Sequence, residues 1–580
     1  MKACTVSSIE ELNSYLTNEL AQSVCITHAR GIDMSQTAAT AAETFAREHP
    51  KVRVVCSTEA EAQRVRSRTD NAAIEVMTAK NLSLLILADE RVQVAVGRRN
   101  RILDTNEVDV LMEDMKVTGM KAHRLREMTK FFFKSLTDGF ADTEGWLITG
   151  EEQRQFSVLE ENLESRQALL SYELPRKALE GLNAVPDAIE TAPAVIVGFE
   201  RLATLMQKLV LETSDQTFVA MGCTNASPGL DEPYPNVDGL QDLADRDEVQ
   251  AVKLDMAQPA VPTTTTSCAT PFDEFTFVAD AVAETLAKAP ETETMLIATP
   301  NGIWTRYIVK QLEARGIQPS VISPERKVKG DPRSPQANGE LKLAALAKLI
   351  KDRSDMTALR SWIGLGDWLL RSDAYLELMA WACEHGMPAS QAIETLRATP
   401  ADERNTRVFY KIEQQLNELD QVMEAVGNAD IADLEGVLKS YGMSVPASVA
   451  KAAETKEDLF AAVLAQPVNT YDARVAVAPF DQCIGMTADH LFLTGMVNGY
   501  LPQLDALDDK HSIDQKLRAT IRDRERFDDL MAIGKVSVTV SLFETDAASN
   551  AERLPMDVSR IYQQGSTRMV RINPSIFLNR

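Results

Sequence analysis

Val475 to Pro502 reads VAVAPFDQCIGMTADHLFLTGMVNGYLP, and the assignment of the whole chain turns on this stretch. Val475 to Ala478 is a short unbroken apolar run closed by proline, and Leu491 to Gly495 is a second one. Strands without polar alternation are those of parallel sheets covered on both faces. Downstream, Lys535 to Phe543 predicts a further strand. Upstream, a helix over Glu274 to Lys288 leads to the strand Met295 to Thr299, then a helix from Trp304 to Arg315 and a strand opening at Val321 and Ile322. Between these halves, Gly339 to about Ala462 is nearly all helical. Strands separated by helices predict an α/β unit, here with a long helical insert.

The first half follows the same plan. Strands are expected at Ser23 to Thr27, Val52 to Cys56, Ile74 to Met77, Ala194 to Val197 and Thr217 to Met221, with helices such as Gln36 to Glu48 and Glu59 to Arg68 between them. Arg98 to Leu182 turns helical. Gln258 to Pro271, with three prolines and the run Thr263 to Thr266, reads as a linker. The expected partition is 1–97 with 183–257 as a first α/β lobe and 98–182 as its helical insert. A linker at 258–271 follows, then 272–338 with 463–545 as a second lobe, 339–462 as its insert, and 546–580 as a C-terminal extension.

Composition bounds the function. At 580 residues, about four domains fit the chain. Hydrophobic residues at 44% and charged residues at 25% exclude wholesale disorder. The longest apolar stretch, around Leu82 to Ala88, is far short of the ~20 residues of a membrane span. Glu10 and Glu11 stand where a signal peptide would be basic and then apolar, so a cytoplasmic protein is expected. Seven cysteines and six histidines, scattered and without a CxxC, predict neither a disulfide framework nor a metal site. The net charge of −24 repels nucleic acid, so any contact with DNA needs a local basic surface.

With these features the chain resembles the superfamily 1 helicases of the UvrD, PcrA and AddB type. In Val475 to Pro502, Gly485, Asp489, Gly495, Gly499 and Pro502 fall in register with that family's motif V region. Asp523 to Phe527 before the Lys535 strand resembles motif VI. Met295 to Ile317 resembles the motif IV strand and helix, and Asn573 to Phe577 resembles the seam before an AddB-type nuclease domain. The resemblance implies two RecA-like, P-loop NTPase-type parallel-sheet lobes, each interrupted by a helical insert.

The chemistry of that family is eroded here. A P-loop, GxxxxGK[ST], wraps phosphates with backbone N–H groups, neutralises them with lysine and ligates Mg²⁺ through the hydroxyl. The segment after the first strand reads Arg30-Gly31-Ile-Asp33-Met-Ser35-Gln36-Thr37. Arg30 and Ser35 replace the glycines, Gln36 replaces the lysine, Asp33 adds a negative charge, and Thr37 alone survives. Motif II, Asp-Glu-x-Gln, becomes Val197-Gly198-Phe-Glu200, without the carboxylates that hold metal and activate water. Motif III reads Gly222-Cys-Thr-Asn-Ala226. The motif IV arginine is Thr299 or Pro300, the motif V lysine and glutamate are Ile484 and Thr487, and motif VI reads Ile533-Gly534-Lys535. An arginine finger alone is worth roughly 10³–10⁵ in rate. Losing it with the lysine and carboxylates leaves ATP hydrolysis without support, so neither ATP nor Mg²⁺ is expected as a cofactor.

The densest basic stretch is Lys116, Lys121, Arg124, Arg126, Lys130 and Lys134, next to Phe131, Phe132 and Phe133. It reads equally as a single-strand groove or as a solvated helix face with the phenylalanines in the core. Asp331, Glu340 and Lys342 mimic a nuclease D…ExK set, although Gly339 onward reads as a helix start, and no appended nuclease domain is expected before Arg580. Trp304, Trp362, Trp368 and Trp381 read as core. The resemblance implies an inactivated, RecC-like subunit that guides DNA or scaffolds a separate helicase or nuclease in recombination and double-strand-break repair. Two alternatives stay open: an active ATP-dependent helicase, and a protein-interaction module without DNA contact.

Overall fold

A computed structural model describes residues 4–18, 23–215, 217–224, 234–256, 259–324, 328–400, 407–466, 469–471 and 473–578. The chain divides into two compact units. The first combines Met1–Ser83, Ile189–Pro324 and Val468–Arg580; the second combines Leu84–Ala188 and Glu325–Pro467.

The first unit is α/β. Its strands are β1 (Cys4–Val6), β2 (Val24–His28), β3 (Val52–Cys56), β4 (Ile74–Thr78), β5 (Ala194–Val197), β6 (Phe218–Cys223) and β7 (Gln250–Leu254), followed by β8 (Thr263–Cys268), β9 (Met295–Thr299), β10 (Ser320–Val321), β11 (Val475–Pro479), β12 (Ala488–Leu493) and β13 (Gly534–Phe543). The first seven form one sheet in the order β1-β7-β2-β6-β5-β3-β4, and the next six form another, β10-β11-β9-β12-β13-β8. All pairings in both sheets are parallel. The central strands are buried along their length, as covered parallel strands require.

Three strands depart from the sequence reading. Within the expected linker 258–271, Thr263–Cys268 is instead β8, paired with Val538 to Phe543; residue 258 lies outside the described residues. Its prolines flank the strand, and β-branched threonines suit an exposed edge. β1 and β7 carry no long apolar run and exist through their pairing, Cys4 to Val6 against Val252 to Leu254.

Of the expected C-terminal extension 546–580, several described residues pack into the second sheet's core. β14 (Thr545–Ala547), β15 (Val558–Gln564) and β16 (Thr567–Ile572) form a small antiparallel sheet, and Val570, Ile572 and Phe577 join the apolar cluster around Trp304. The Trp304 indole donates to the Tyr500 hydroxyl at 3.2 Å. The Asn573 to Phe577 segment clamps the end of the opening stretch, with Asn498 N–H on the Asn573 carbonyl and Ser575 N–H on that of Met496.

The second unit is helical among its described residues, apart from short irregular segments. Its two sequence-distant halves are tied by buried charge. Asp114 receives Arg360 at 2.5 and 2.9 Å and pairs with Arg166, while Arg360 lies 4.7 Å from the Tyr375 ring centroid. Arg101 bridges Glu107 and Asp355, and Lys348 reaches Asp104 and Glu107. Asp114 and Arg360 are fully buried. Asp114→Asn leaves two buried guanidiniums short of charge, and should cost about 3–5 kcal/mol in urea unfolding. A loss below about 1 kcal/mol would show the triad to be dispensable.

Candidate functional site

Loops at the C-terminal ends of parallel strands are where open α/β sheets place their sites. Here the loops after β2, β5 and β6 meet the segment after β11 and the end of the Ile513–Met531 helix around one cleft. Arg30, Gly31, Ser35, Val197, Gly198, Glu200 and Ile484, singled out from sequence, all line it. Gln36 is exposed and accepts from Arg68 at 3.2 Å, outside the lining. Thr37 is buried in the Ser35–Phe45 helix with its hydroxyl unpaired among the described residues. Gly222 backs onto Glu200, leaving only 2.3 Å between a Cβ and a carboxylate oxygen, and Gly534 packs against Val538 and Leu491. Asn225 and Ala226 of the expected motif III lie outside the described residues.

Sequence reasoning missed Glu61, Arg64, Arg201 and Asp529, which also line the cleft with Arg526 of the motif VI-like segment. Glu61 and Arg64 come from the Glu59–Arg66 helix, whose Thr58/Glu61 capping box was a readable signal for the helix but not for the site. The cleft is tightly closed. Its volume is about 80 Å³, against ~300–1,000 Å³ for typical small-molecule pockets.

Its cations are all engaged. Arg30 pairs with Asp529 at 2.9 Å and Asp528 at 3.5 Å. Arg201 holds Glu61 at 2.6 Å, and Arg526 pairs with Asp481. Arg64 donates to the Gly485 carbonyl at 2.5 Å and lies 3.5 Å from Asp33. Lys535 donates to the carbonyls of Gly31 and Ala532. Burial would raise the Asp33 carboxyl, but Arg64, the Ser35 N–H and Arg68 together hold it below the usual range.

Several of these contacts join the two sheets. Arg30, Gly31 and Arg64 follow strands of the first; Gly485, Asp528, Asp529 and Lys535 belong to the second. Gly31 and Gly485 both have positive φ, and a Cβ would stand 2.6 Å from the Ala532 carbonyl oxygen and 2.4 Å from the Thr58 hydroxyl. Side-chain-free backbone is what permits this approach.

The basic stretch lies in the helical unit. Lys121, Arg124, Arg126, Lys130 and Lys134 are exposed, with Arg126, Lys130 and Lys134 at i, i+4 and i+8 along one side of the Ala122–Asp138 helix. Lys116 pairs with Glu113 at 2.6 Å and Arg124 lies 3.9 Å from Glu151. Phe132 and Phe133 are buried; Phe133 stacks on Tyr172 at 4.5 Å. Lys342 of the nuclease-like set is held by Glu418 at 2.6 Å. Among the described residues no group of His, Cys, Asp or Glu could hold a metal, and no helix is long and apolar enough to cross a membrane. Trp304 and Trp362 are core, whereas Trp368 is 77% exposed, against the core reading.

No protein-family model matches the chain, and no curated protein is detectably similar to it.

Glu200 generates a pH prediction. It is 1% exposed, neither carboxylate oxygen closes a hydrogen bond of good geometry with a described residue, and its nearest cation is Arg201 at 3.5 Å. Burial pushes its carboxyl up to about 7, only partly offset by Arg201, from an ordinary 4.5. The native state then binds the extra proton between those values, so this group's contribution to stability falls as pH rises from about 4.5 to about 7. Glu200→Gln should flatten that part of the profile and be more stable than the parent above about pH 7, by up to about 3 kcal/mol. Identical urea-unfolding profiles across pH would refute it.

Proposed function

We propose that the chain is a catalytically silent helicase-fold subunit, in which two RecA-like lobes carry helical inserts and no longer hydrolyse ATP. It works in the cytoplasm as a DNA-guiding or scaffolding partner of a separate helicase or nuclease, in recombination and double-strand-break repair. The observation supporting this most is the convergence of the eroded motif segments on one cleft between two parallel sheets. The cleft is too small for a nucleotide, and its arginines are neutralised by acids of the chain itself. The charge a triphosphate needs is therefore already used.

Purified protein is expected to show no ATP turnover with or without single-stranded DNA, in the parent and in Gln36→Lys alike. DNA-stimulated turnover by the parent would make it an active helicase. A tagged chain should co-purify with a helicase or nuclease, and its absence from such complexes counts against the scaffold.

The ion pairs of Lys116 and Arg124 favour a second reading, an interaction module that makes no DNA contact. Single-strand binding across salt separates the two. If Lys121, Arg126, Lys130 and Lys134 each meet a phosphate, the log–log slope is about −3, at ~0.7 per contact. Charge reversal of Arg126, Lys130 and Lys134 should remove most of it. No binding even at low salt selects the interaction module.

A further inference from the structure

A cavity of about 1240 Å³ opens in the helical unit, roomier than the ~300–1,000 Å³ of typical ligand pockets. Its lining comes from both chain segments of that unit, 93–167 and 348–464. Leu376, Met379, Ala380 and Cys383 stand at i, i+3, i+4 and i+7, so the Ser372–Glu384 helix turns one face to it, and Met387 follows. Most cations in the lining have acids of their own. Arg99 pairs with Asp352, Arg101 with Glu107 and Asp355, and Lys348 with Asp104 and Glu107. Lys351 is exposed, as are Glu161 and Glu164. Arg166 differs. Its side chain is 2% exposed, and it shares Asp114 with Arg360, so one buried carboxylate serves two buried guanidiniums. Arg166 Nη1 closes no hydrogen bond with a described residue; nor do Arg360 Nη1 and the hydroxyl of Tyr375, whose ring lies beside both guanidiniums. A buried positive charge without its own counter-ion is costly, and Arg166 lines the cavity.

We infer that this cavity binds an organic monoanion with an apolar body, its carboxylate on Arg166 and its chain along Leu376 and Met379. With Asp114, the ligand's carboxylate gives two acids to two guanidiniums and accepts from the nitrogen that Asp114 leaves over. Methionine suits a flexible chain, because its unbranched, polarisable side chain adapts to irregular surfaces. An inorganic anion would leave the apolar helix face wet, and an uncharged ligand would leave Arg166 without a counter-ion. Glu161 and Glu164 repel a polyanion, so nucleic acid is not the occupant. Their exposure screens them from a single charge drawn in to Arg166. The site belongs to the second unit and does not depend on the helicase-like reading.

Cys383 is a local reporter: it lines the cavity and is exposed, whereas the other cysteines are buried or, for Cys4, half-buried. Maleimide alkylation of Cys383 in the full chain, read by peptide mass mapping, is followed against octanoate at neutral pH and constant ionic strength. Octanol and acetate serve as controls. Octanoate should slow alkylation along a saturable curve and act at concentrations at least about tenfold below those of octanol, the factor a charge-assisted hydrogen bond supplies. Acetate should do little. Arg166→Met leaves Asp114 and Arg360 as a one-to-one pair and should remove the advantage of octanoate over octanol. Met379→Glu puts a charge on the apolar face and should weaken protection by both. If Arg166→Met does not fold, the octanoate-to-octanol ratio in the parent and the Met379→Glu response carry the test. No protection of Cys383 by octanoate, equal protection by octanol in the parent, or an undiminished preference in Arg166→Met would overturn the inference.

Discussion

Neutralisation of arginine by acids from facing loops is the constraint on which the first unit depends. Arg30, Arg64, Arg201 and Arg526 stand in a cleft with little room for water, where an unpaired guanidinium would be costly. Each is met by a carboxylate or a carbonyl, and for Arg30 and Arg64 the partner lies on the other sheet. The sheets therefore approach without a ligand between them. Apolar packing reinforces the approach: Ala60, on the helix after β3, belongs to the core cluster of the second sheet, and the Tyr471 N–H reaches Gln63 at 2.9 Å.

The helical unit solves a related problem with a different arrangement. Two segments far apart in the chain are joined by the Arg166–Asp114–Arg360 triad, which is buried, and by partly buried charges around Glu107. Buried ion pairs add little net stability compared with apolar packing, but they penalise any mispaired alternative strongly. In a unit of many short helices with similar apolar stripes, such pairs can select one packing over others. The basic residues of the Ala122–Asp138 helix are exposed, with Arg124 3.9 Å from Glu151.

Legibility followed the range of the interactions. Val52 to Cys56 and Ala194 to Val197 were readable because a strand buried on both faces is mostly apolar whatever its neighbours; Arg53 is the exception, buried with its guanidinium on the Thr213 and Glu190 carbonyls. β8 was not, because prolines and threonines write a linker as readily as an edge strand, and only the Val538 to Phe543 backbone decides between them. At the site, Arg30, Gly31, Ser35 and Glu200 could be found by their positions after strands. Arg64 could not, since it sits in an ordinary charged helix that reads as solvent-facing. Trp368 shows the same limit in the opposite sense: an apolar sequence context predicts burial, but the residue falls in a tight turn and projects outward.

The sequence by itself determined the alternation of strand and helix, the two long helical stretches, the acidic balance, and the absence of a GxxxxGK[ST] lysine from the segment after β2. Each of these is a matter of residue type and local spacing. Only the tertiary structure decided which charges meet: Asp33 with Arg64 and Arg68, Arg30 with Asp528 and Asp529, and Lys535 with the Gly31 carbonyl across some 500 residues of chain. The physical reason is that side-chain electrostatics depend on distance in space and on burial. Neither is encoded in any local window of the sequence.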